Sequence, residues 1–167
     1  MHADLAWTWP IISPPEDYVE AGEHFAGLLS EHVDGRPRTL LDLGCGGGHF
    51  MATLKRHFTV TGVDVSDAML DLSRVLNADC EHVRDDMRSV RLGRVFDAMP
   101  GPWIALRSVA RPDLLRALNV GYLVSDKPIA GVQWLREAAS FADQPAFRFY
   151  KGLTRTDIFV YALPERT

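Results

Sequence analysis

Two acidic residues flank a glycine-rich stretch in the first half of this 167-residue chain. The run Leu40-Leu41-Asp42-Leu43-Gly44-Cys45-Gly46-Gly47-Gly48-His49 starts like a buried strand and then turns through glycines. A second apolar run, Val60 to Val63, ends at Asp64. Glycine has no Cβ, so the backbone of such a turn can take positive φ and approach a ligand closely. A carboxylate at the end of the second strand can accept hydrogen bonds from both hydroxyls of a ribose. The pattern therefore predicts a nucleoside-binding site.

The spacing of the glycines distinguishes two kinds of nucleoside cofactor. The dinucleotide fingerprint G-x-G-x-x-G/A, started at Gly44, places His49 at its sixth position, where a large side chain prevents close packing of helix on strand. The spacing Asp42-x-Gly44-x-Gly46-x-Gly48 is instead similar to motif I of the class I S-adenosylmethionine-dependent methyltransferases.

Two further segments carry the same resemblance. The segment from Val63 to Leu70 looks like the second-strand acid of that family with its following helix, and the segment from Val83 to Arg88 looks like its adenine-binding segment. The three motifs occur in the family's order, and the resemblance covers about residues 1–99.

The resemblance implies S-adenosylmethionine as the cofactor and a role for each matching residue, and no metal site is expected from the residue spacings. Asp42 and the glycine turn would hold the amino-acid portion, Asp64 the ribose, and Val65 with Met69 the two faces of the adenine. Asp86 would accept from the exocyclic amine, and the Met87 backbone N–H would donate to a ring nitrogen. The implied cofactor-binding set is Asp42, Gly44, Cys45, Gly46, Gly48, Asp64, Val65, Met69, Asp86 and Met87.

No catalytic residue is assigned from the sequence. The nearest candidates for a base are His49, His24 and Tyr18, although a histidine beside a glycine turn is more often a residue that starts a helix. Cys45 is expected to be a small buried residue rather than a nucleophile, because no base is paired with it.

In many relatives the segment corresponding to the one with Trp7, Trp9 and Tyr18 folds over the cofactor and lines the acceptor pocket; a lid over the core is the alternative. The arginines of the basic cluster are expected to form a solvated face, since acids are interleaved with them: Arg84, Arg88, Arg91 and Arg94.

Alternating strands and helices predict an α/β fold with a doubly wound, mostly parallel sheet and right-handed crossovers. A capping box at Ser13 predicts a helix over Pro14 to Val33. The helix after the glycine turn is expected to place Phe50, Met51, Leu54 and Phe58 on one face. The helix capped by Ser66 is expected to turn Met69, Leu72, Val75 and Leu76 inward. The predicted strands are Thr39 to Leu43, Thr59 to Asp64, Cys80 to Val83 and Val95 to Met99.

The second half departs from the family pattern. The chain is interpreted as a single domain over 1–167, with a cofactor-binding half at 1–99 and an atypical, shortened half at 100–167. Met99-Pro100-Gly101 is expected to break the fourth strand early. Beyond it the sequence predicts a helix at Pro112 to Leu118, a strand at Val120 to Ser125 and a helix at Val132 to Phe141. A closing β-hairpin is predicted from Ala146 to Lys151 and Ile158 to Leu163, around Gly152 to Thr156. Residues from Arg111 to the end faintly resemble soluble segments of large bacterial glycosyltransferase-like membrane proteins.

Composition limits the function classes. The net charge of −4 gives no overall attraction to nucleic acid or to an acidic membrane. Two cysteines and no zinc spacing agree with a reducing cytoplasm, and no apolar stretch approaches the roughly 20 residues of a membrane helix. The expected partner is a small-molecule acceptor. A homodimer in which the subunits share a lid is an alternative to a monomer.

Three functions agree with these patterns. The first is methyl transfer from S-adenosylmethionine to the nitrogen or oxygen of a small molecule, a class that includes amino-sugar methylation. The second is a degenerate relative that binds the cofactor without turnover, and the third is an NAD-dependent oxidoreductase.

The ribose assignment makes a prediction at Asp64. Replacing Asp64 by Ala removes charge-assisted hydrogen bonds and should weaken cofactor binding by roughly 1.5–3 kcal/mol. Isothermal titration with S-adenosylmethionine measures this loss, and unchanged affinity would remove the ribose assignment.

Overall fold

The computed structural model describes residues 3–32, 37–101, 120–125, 136–148 and 152–162. Two 3₁₀ helices, Ala3–Thr8 and Pro15–Tyr18, flank a short helix α1 (Trp9–Ile12) near the amino terminus. The other helices are α2 (Val19–His32), α3 (His49–Leu54) and α4 (Asp67–Leu76). The strands are β1 (Thr39–Leu43), β2 (Thr59–Asp64), β3 (Glu81–Arg84), β4 (Phe96–Gly101), β5 (Val120–Ser125), β6 (Arg136–Arg148) and β7 (Gly152–Ala162).

These seven described strands form one sheet in the order β3-β2-β1-β4-β5-β7-β6. Strands β1 to β5 pair in parallel, whereas β7 runs antiparallel to both β5 and β6. The order reverses between β1 and β4, and ligands of open α/β sheets bind outside the carboxyl ends of the strands at such a point. The predicted fold class, a doubly wound and mostly parallel sheet with a C-terminal hairpin, is confirmed.

Strands β1 and β2 have the bounds that their apolar runs predict. All residues of β1 after Thr39 are buried, as is the run from Val60 to Val63 in β2. The two strands pair from Thr39 with Thr59 to Leu43 with Val63. Because Leu43 and Val63 are level, the glycine turn after β1 begins beside Asp64, the last residue of β2.

Apolar side chains cover both faces of the sheet. One core cluster joins α2 and α3 to the central strands through residues such as Leu29, Met51 and Leu40. The other contains Leu41, Leu43, Val63, Val90, Phe96, Met99, Leu123 and Tyr161. A sheet covered on both faces fits the nearly continuous apolar runs that mark β1 and β2 in the sequence.

Two helix predictions need correction in the first half. The predicted helix over Pro14 to Val33 is a 3₁₀ turn at Pro15–Tyr18 followed by α2, and Val33 lies outside the described residues. In α4, Val75 was predicted to face inward but is 87% exposed, and Ser73 takes the buried position instead. A polar residue can lie there because its hydroxyl forms a hydrogen bond with the His82 ring. Phe58 is buried as expected but follows the end of α3.

The second half contains three further differences. Strand β4 continues to Gly101, with Pro100 level with Val124 of β5, so the predicted early break was wrong. Proline removes only one N–H from the ladder, and its neighbours remain paired with β5. The helix predicted over Val132 to Phe141 is wrong from Arg136 onward, where the chain forms β6. Pairing with β7 overrides the helical preference of its alanines.

The hairpin is longer than predicted. Gly152 to Thr156 belongs to strand β7 rather than to the turn, and residues 149–151 lie outside the described residues. Strand β5 has its predicted bounds, whereas the helix predicted at Pro112 to Leu118 lies outside the described residues. Strand β3 lies one residue later than predicted.

The glycine turn is packed tightly against α4. Gly48 precedes α3 with a φ of 74°, and its carbonyl accepts a hydrogen bond of 2.9 Å from the buried Asn77 side chain. A Cβ at Gly48 would lie 2.1 Å from Ser73 Oγ and 2.4 Å from Asn77 Nδ2. Glycine at 48 is therefore required both by the backbone angle and by the neighbouring helix.

Replacing Gly48 by Ala should lower the free energy of unfolding by roughly 3 kcal/mol or more, because strain at positive φ and overpacking add. Gly93 is a matched control, since its φ is 66° but no atom lies within 4 Å of an added Cβ. Gly93→Ala should cost only about 1–2 kcal/mol. Urea unfolding measures both, and equal losses would contradict the packing role of Gly48.

Candidate functional site

The Asp64 carboxylate links the turns that follow β1 and β2. Its Oδ2 accepts from the Gly46 backbone N–H at 2.9 Å, and its Oδ1 accepts from the Ser66 backbone N–H at 2.8 Å. The predicted capping role of Ser66 is confirmed, because its hydroxyl accepts from the Met69 N–H at the start of α4. Each carboxylate oxygen keeps acceptor capacity beyond its one backbone donor. Asp64 therefore faces the glycine turn and stays able to receive further hydrogen bonds.

The glycine turn is also fixed to β2 by its own backbone. The N–H groups of Gly44 and Cys45 both donate to the Val63 carbonyl, at 2.7 and 3.0 Å. Gly44, Gly46 and Gly48 all have positive φ, as the glycine pattern predicts. The glycine turn is thus held against the end of β2 by backbone hydrogen bonds.

Asp42 is a buried acid beside this turn. It is 4% exposed, and within the described part of the chain no group donates a hydrogen bond to its carboxyl. Burial, with a smaller contribution from the charge of Asp64, raises the pKa of Asp42 to about 7. A buried carboxylate without a partner is costly, and a cation bound next to it would relieve that cost.

Two methionine side chains lie against the glycines. A Cβ on Gly44 would meet the Met87 methyl at 2.7 Å, and one on Gly46 would meet the Met69 methyl at 3.3 Å. The glycines therefore admit protein side chains as well as the ligand that the sequence predicts. Val65, by contrast, is 64% exposed directly after Asp64 and offers apolar surface to a ligand.

The loop after β3 lies at the same edge of the sheet. The Asp85 N–H donates to the Asp64 carbonyl at 3.2 Å, which places Asp86 and Met87 next to the end of β2. The Asp86 carboxylate is bound by the side chain and the backbone N–H of Arg88. These contacts hold the pKa of Asp86 at about 2. The sequence predicted Asp86 as an acceptor but not this internal partner.

The amino-terminal segment is attached to the start of α3 through His49. The His49 side chain is buried, and its Nδ1 lies 2.6 Å from the carbonyl oxygen of Ser13, to which it donates in the neutral ring. The Ser13 hydroxyl lies 2.7 Å from the Tyr18 hydroxyl. The rings of Trp9 and Tyr18 pack on His49, with centroids 6.3 and 5.8 Å away. The segment thus covers the glycine turn, while Trp7 is exposed.

The remaining candidate residues are either buried in the fold or paired with other side chains. The Cys45 thiol lies near Gly62, and burial raises its pKa, so it has no nucleophilic character. Burial lowers the pKa of His49, which keeps the ring neutral at pH 7. His24 Nε2 is buried without a hydrogen-bond partner among the described residues. Of the arginines predicted to form a solvated face, Arg84 pairs with Asp67 and Arg94 with Glu81.

The structure brings most of the predicted site residues to one edge of the sheet. Asp42, the glycine turn, Asp64 and the loop with Asp86 and Met87 surround the carboxyl ends of β1, β2 and β3. Sequence reasoning missed the Ser66 backbone donor and the Ser13 carbonyl, because backbone groups carry no signal in residue identity. The cofactor-binding roles of the predicted site residues stay predictions, since geometry alone assigns no ligand.

The sheet order and this glycine turn define a Rossmann-like α/β fold. A family model described as a methyltransferase domain matches residues 40–120. N-methyltransferase NodS from Bradyrhizobium japonicum WM9 has a similar fold, with a TM-score of 0.61 and 17% identity over 92% of this chain and 98% of that one. Residues 40–120 thus match the methyltransferase-domain family, in agreement with the class I S-adenosylmethionine-dependent methyltransferase resemblance that the three motifs predict.

Among the curated relatives, two match about half of the chain. The dTDP-3-amino-3,6-dideoxy-alpha-D-glucopyranose N,N-dimethyltransferase of Streptomyces fradiae is 35% identical over 85 residues, which are 50% of this chain and 33% of that protein. The trans-aconitate 2-methyltransferase of Enterobacter sp. (strain 638) is 32% identical over 97 residues, 53% of this chain and 38% of that protein. The matches thus span little more than a third of these relatives' length. The helices of the described residues include no candidate membrane span.

The buried acid gives a prediction for stability against pH. Because the folded-state pKa of Asp42 lies above its ordinary value of about 4, the folded chain binds this proton more tightly than the unfolded chain does. Stability from this group is therefore lost as pH rises from about 4 to about 7. Asp42→Asn should be more stable than the natural chain by roughly 2–4 kcal/mol at pH 8, with a smaller difference at pH 5.

Urea unfolding at a series of pH values measures this difference. Asp71→Asn is the control, because that carboxylate is exposed and pairs with Arg74 at the surface. Such a pair contributes at most about 1 kcal/mol. A pH-independent difference for Asp42→Asn would show that Asp42 is not protonated by burial.

Proposed function

We propose that this chain transfers the methyl group of S-adenosylmethionine to a nitrogen or oxygen of a small-molecule acceptor. The observation that carries the proposal is the pair of carboxylates at the glycine turn. Asp42 is buried without a hydrogen-bond donor from the described residues, and Asp64 lies close enough to raise its pKa. Two acids at this position favour a ligand that brings positive charge and hydroxyl donors.

S-adenosylmethionine has the groups that these residues would hold. Asp42 fits its ammonium group, because a cation next to a buried carboxylate restores the charged form. Asp64 fits the ribose hydroxyls, since each of its oxygens has one backbone donor and room for another. Val65 offers an exposed apolar surface for the adenine. The residues present therefore fit the cofactor that the family implies.

A dinucleotide fits the same site less well. Its pyrophosphate would lie at the glycine turn and carry two negative charges. Asp42 is buried beside that turn, so its carboxylate would repel the anion or have to take up a proton. The NAD-dependent alternative is therefore not favoured.

The chemistry asks the protein mainly for positioning. A bound sulfonium supplies an already activated methyl group, so the cofactor carries the difficult part of the reaction. The rigid turn and the Asp64 link would fix the cofactor, and placing an acceptor in line can supply most of the acceleration. The amino-terminal segment held by His49 covers the turn and would help exclude water.

The candidate bases from the sequence have other partners in the structure. His49 donates to Ser13 and is kept neutral by burial, so we assign it to holding the amino-terminal segment rather than to proton transfer. The pKa of Tyr18 is raised by burial, which disfavours the phenolate that a base would need. An amine acceptor that reaches the site in its neutral form requires no base from the protein.

Amino sugars are the first acceptor class to test. The relative from Streptomyces fradiae is named for dimethylation of an amino sugar nucleotide, and NodS is named as an N-methyltransferase. The trans-aconitate relative makes carboxylate oxygen the second class. Both are small molecules, in agreement with the acceptor type predicted from the sequence.

The binding prediction uses two ligands that differ in one part. S-adenosylhomocysteine has the amino-acid portion, whereas methylthioadenosine lacks it and keeps the adenosine. Asp42→Asn should weaken S-adenosylhomocysteine binding by about 10- to 100-fold at pH 8 and leave methylthioadenosine binding unchanged. Asp64→Ala should weaken both, although it also releases the Gly46 and Ser66 N–H groups and so loosens the turn.

Isothermal titration measures these affinities, and NAD is titrated separately as the alternative cofactor. Tight NAD binding without S-adenosylhomocysteine binding would reverse the proposal. Transfer of a radiolabelled methyl group to amine, hydroxyl and carboxyl acceptors then tests turnover. Cofactor binding without product from any acceptor would favour the degenerate alternative.

A further inference from the structure

We infer that Arg88 competes with the adenine amine for the Asp86 carboxylate and so tunes how strongly the site selects adenine. The inference rests on the proposed function, because it concerns the nucleoside end of the same site. It changes the role predicted for Asp86 from a free acceptor to one that must exchange partners.

The first argument is the number of acceptor positions on Asp86. Oδ1 accepts from the backbone N–H of Arg88 at 2.9 Å and from its Nε at 2.9 Å. Oδ2 accepts from the same Nε at 3.0 Å and from Nη2. An ionised carboxylate has about four lone-pair positions. Three N–H groups of Arg88 make these four contacts, with the single Nε–H shared between the two oxygens, so an incoming amine competes with the Arg88 side chain for the same carboxylate.

The second argument is that this exchange needs no movement of the backbone. The Asp86 carbonyl accepts from the N–H groups of Ser89 and Val90, both at 2.9 Å, and Val90 is fully buried. The Arg88 side chain, in contrast, is 71% exposed, against 31% for the Asp86 side chain. A rotation of Arg88 into solvent would free the carboxylate while the loop stays fixed next to Asp64.

The third argument concerns selectivity. Adenine presents an N–H donor at the position where hypoxanthine presents a carbonyl oxygen. A free Asp86 carboxylate would bind the donor and repel the carbonyl, whereas the Arg88 guanidinium can donate to the carbonyl. Arg88 therefore weakens adenine binding and tolerates hypoxanthine, so its removal should sharpen the choice between them.

The test compares Arg88→Ala with Arg91→Ala. Arg91 lies on the same loop and carries the same charge, but its contacts are to the carbonyl oxygens of Ser89 and Val90. The probes are S-adenosylhomocysteine and its hypoxanthine analogue S-inosylhomocysteine, titrated into the natural 167-residue chain and into each variant. Urea unfolding of both variants checks that they remain folded.

Arg88→Ala should bind S-adenosylhomocysteine about two- to fivefold more tightly than the natural chain, the range expected for an exposed ion pair. Binding of S-inosylhomocysteine should be unchanged or weaker, and Arg91→Ala should change neither. If the natural chain binds S-adenosylhomocysteine but Arg88→Ala binds it equally or more weakly, the role of Arg88 is overturned and the proposed function stands. Absence of binding in all three proteins would overturn the proposed function with it. An equal gain for both probes would indicate a general charge effect and contradict the competition.

Discussion

The hydrogen bonds of the Asp64 carboxylate hold the two halves of the site together. One oxygen receives the Gly46 N–H from the turn after β1, and the other receives the Ser66 N–H from the turn after β2. Because Leu43 and Val63 are level in the sheet, this single side chain can reach both turns. The glycine turn, the start of α4 and the loop after β3 all take their positions from this point. A carboxylate is suited to the role, since it accepts from several donors at once.

Negative charge gathers at this edge at some cost to stability. Asp42 is buried beside Asp64 without a donor of its own from the described residues, and its raised pKa reflects that cost. Asp86 does not carry this cost, because its side chain is 31% exposed and pairs with Arg88. The two acids thus differ in what a ligand must do: it supplies a missing partner to Asp42, but it replaces an existing partner of Asp86. Binding sites often accept such local destabilisation in exchange for affinity.

Local patterns predicted much of the fold. Strands β1, β2 and β5 have their predicted bounds, because uninterrupted apolar runs with clear stops at acids or glycines describe buried parallel strands. The cap at Ser66 is likewise a local event. The segment beginning at Arg136 was predicted as a helix and is strand β6, because its pairing with β7 outweighs intrinsic preference. Pro100 remains in β4 for a similar reason, since β5 pairs with the residues on both sides of it.

The sequence by itself determined the family, the fold class and the acids and glycines of the site, because each depends on residue types at short, fixed spacings. Only the tertiary structure decided which of those groups are free to act. It attached His49 to a carbonyl 36 residues earlier in the chain, buried Asp42, and placed Met87 against Gly44. Hydrogen-bond partners and burial depend on contacts between elements far apart in the sequence, and no local pattern records them. The sequence therefore identifies the acids and glycines of the site, whereas their charge states and available lone pairs depend on the fold.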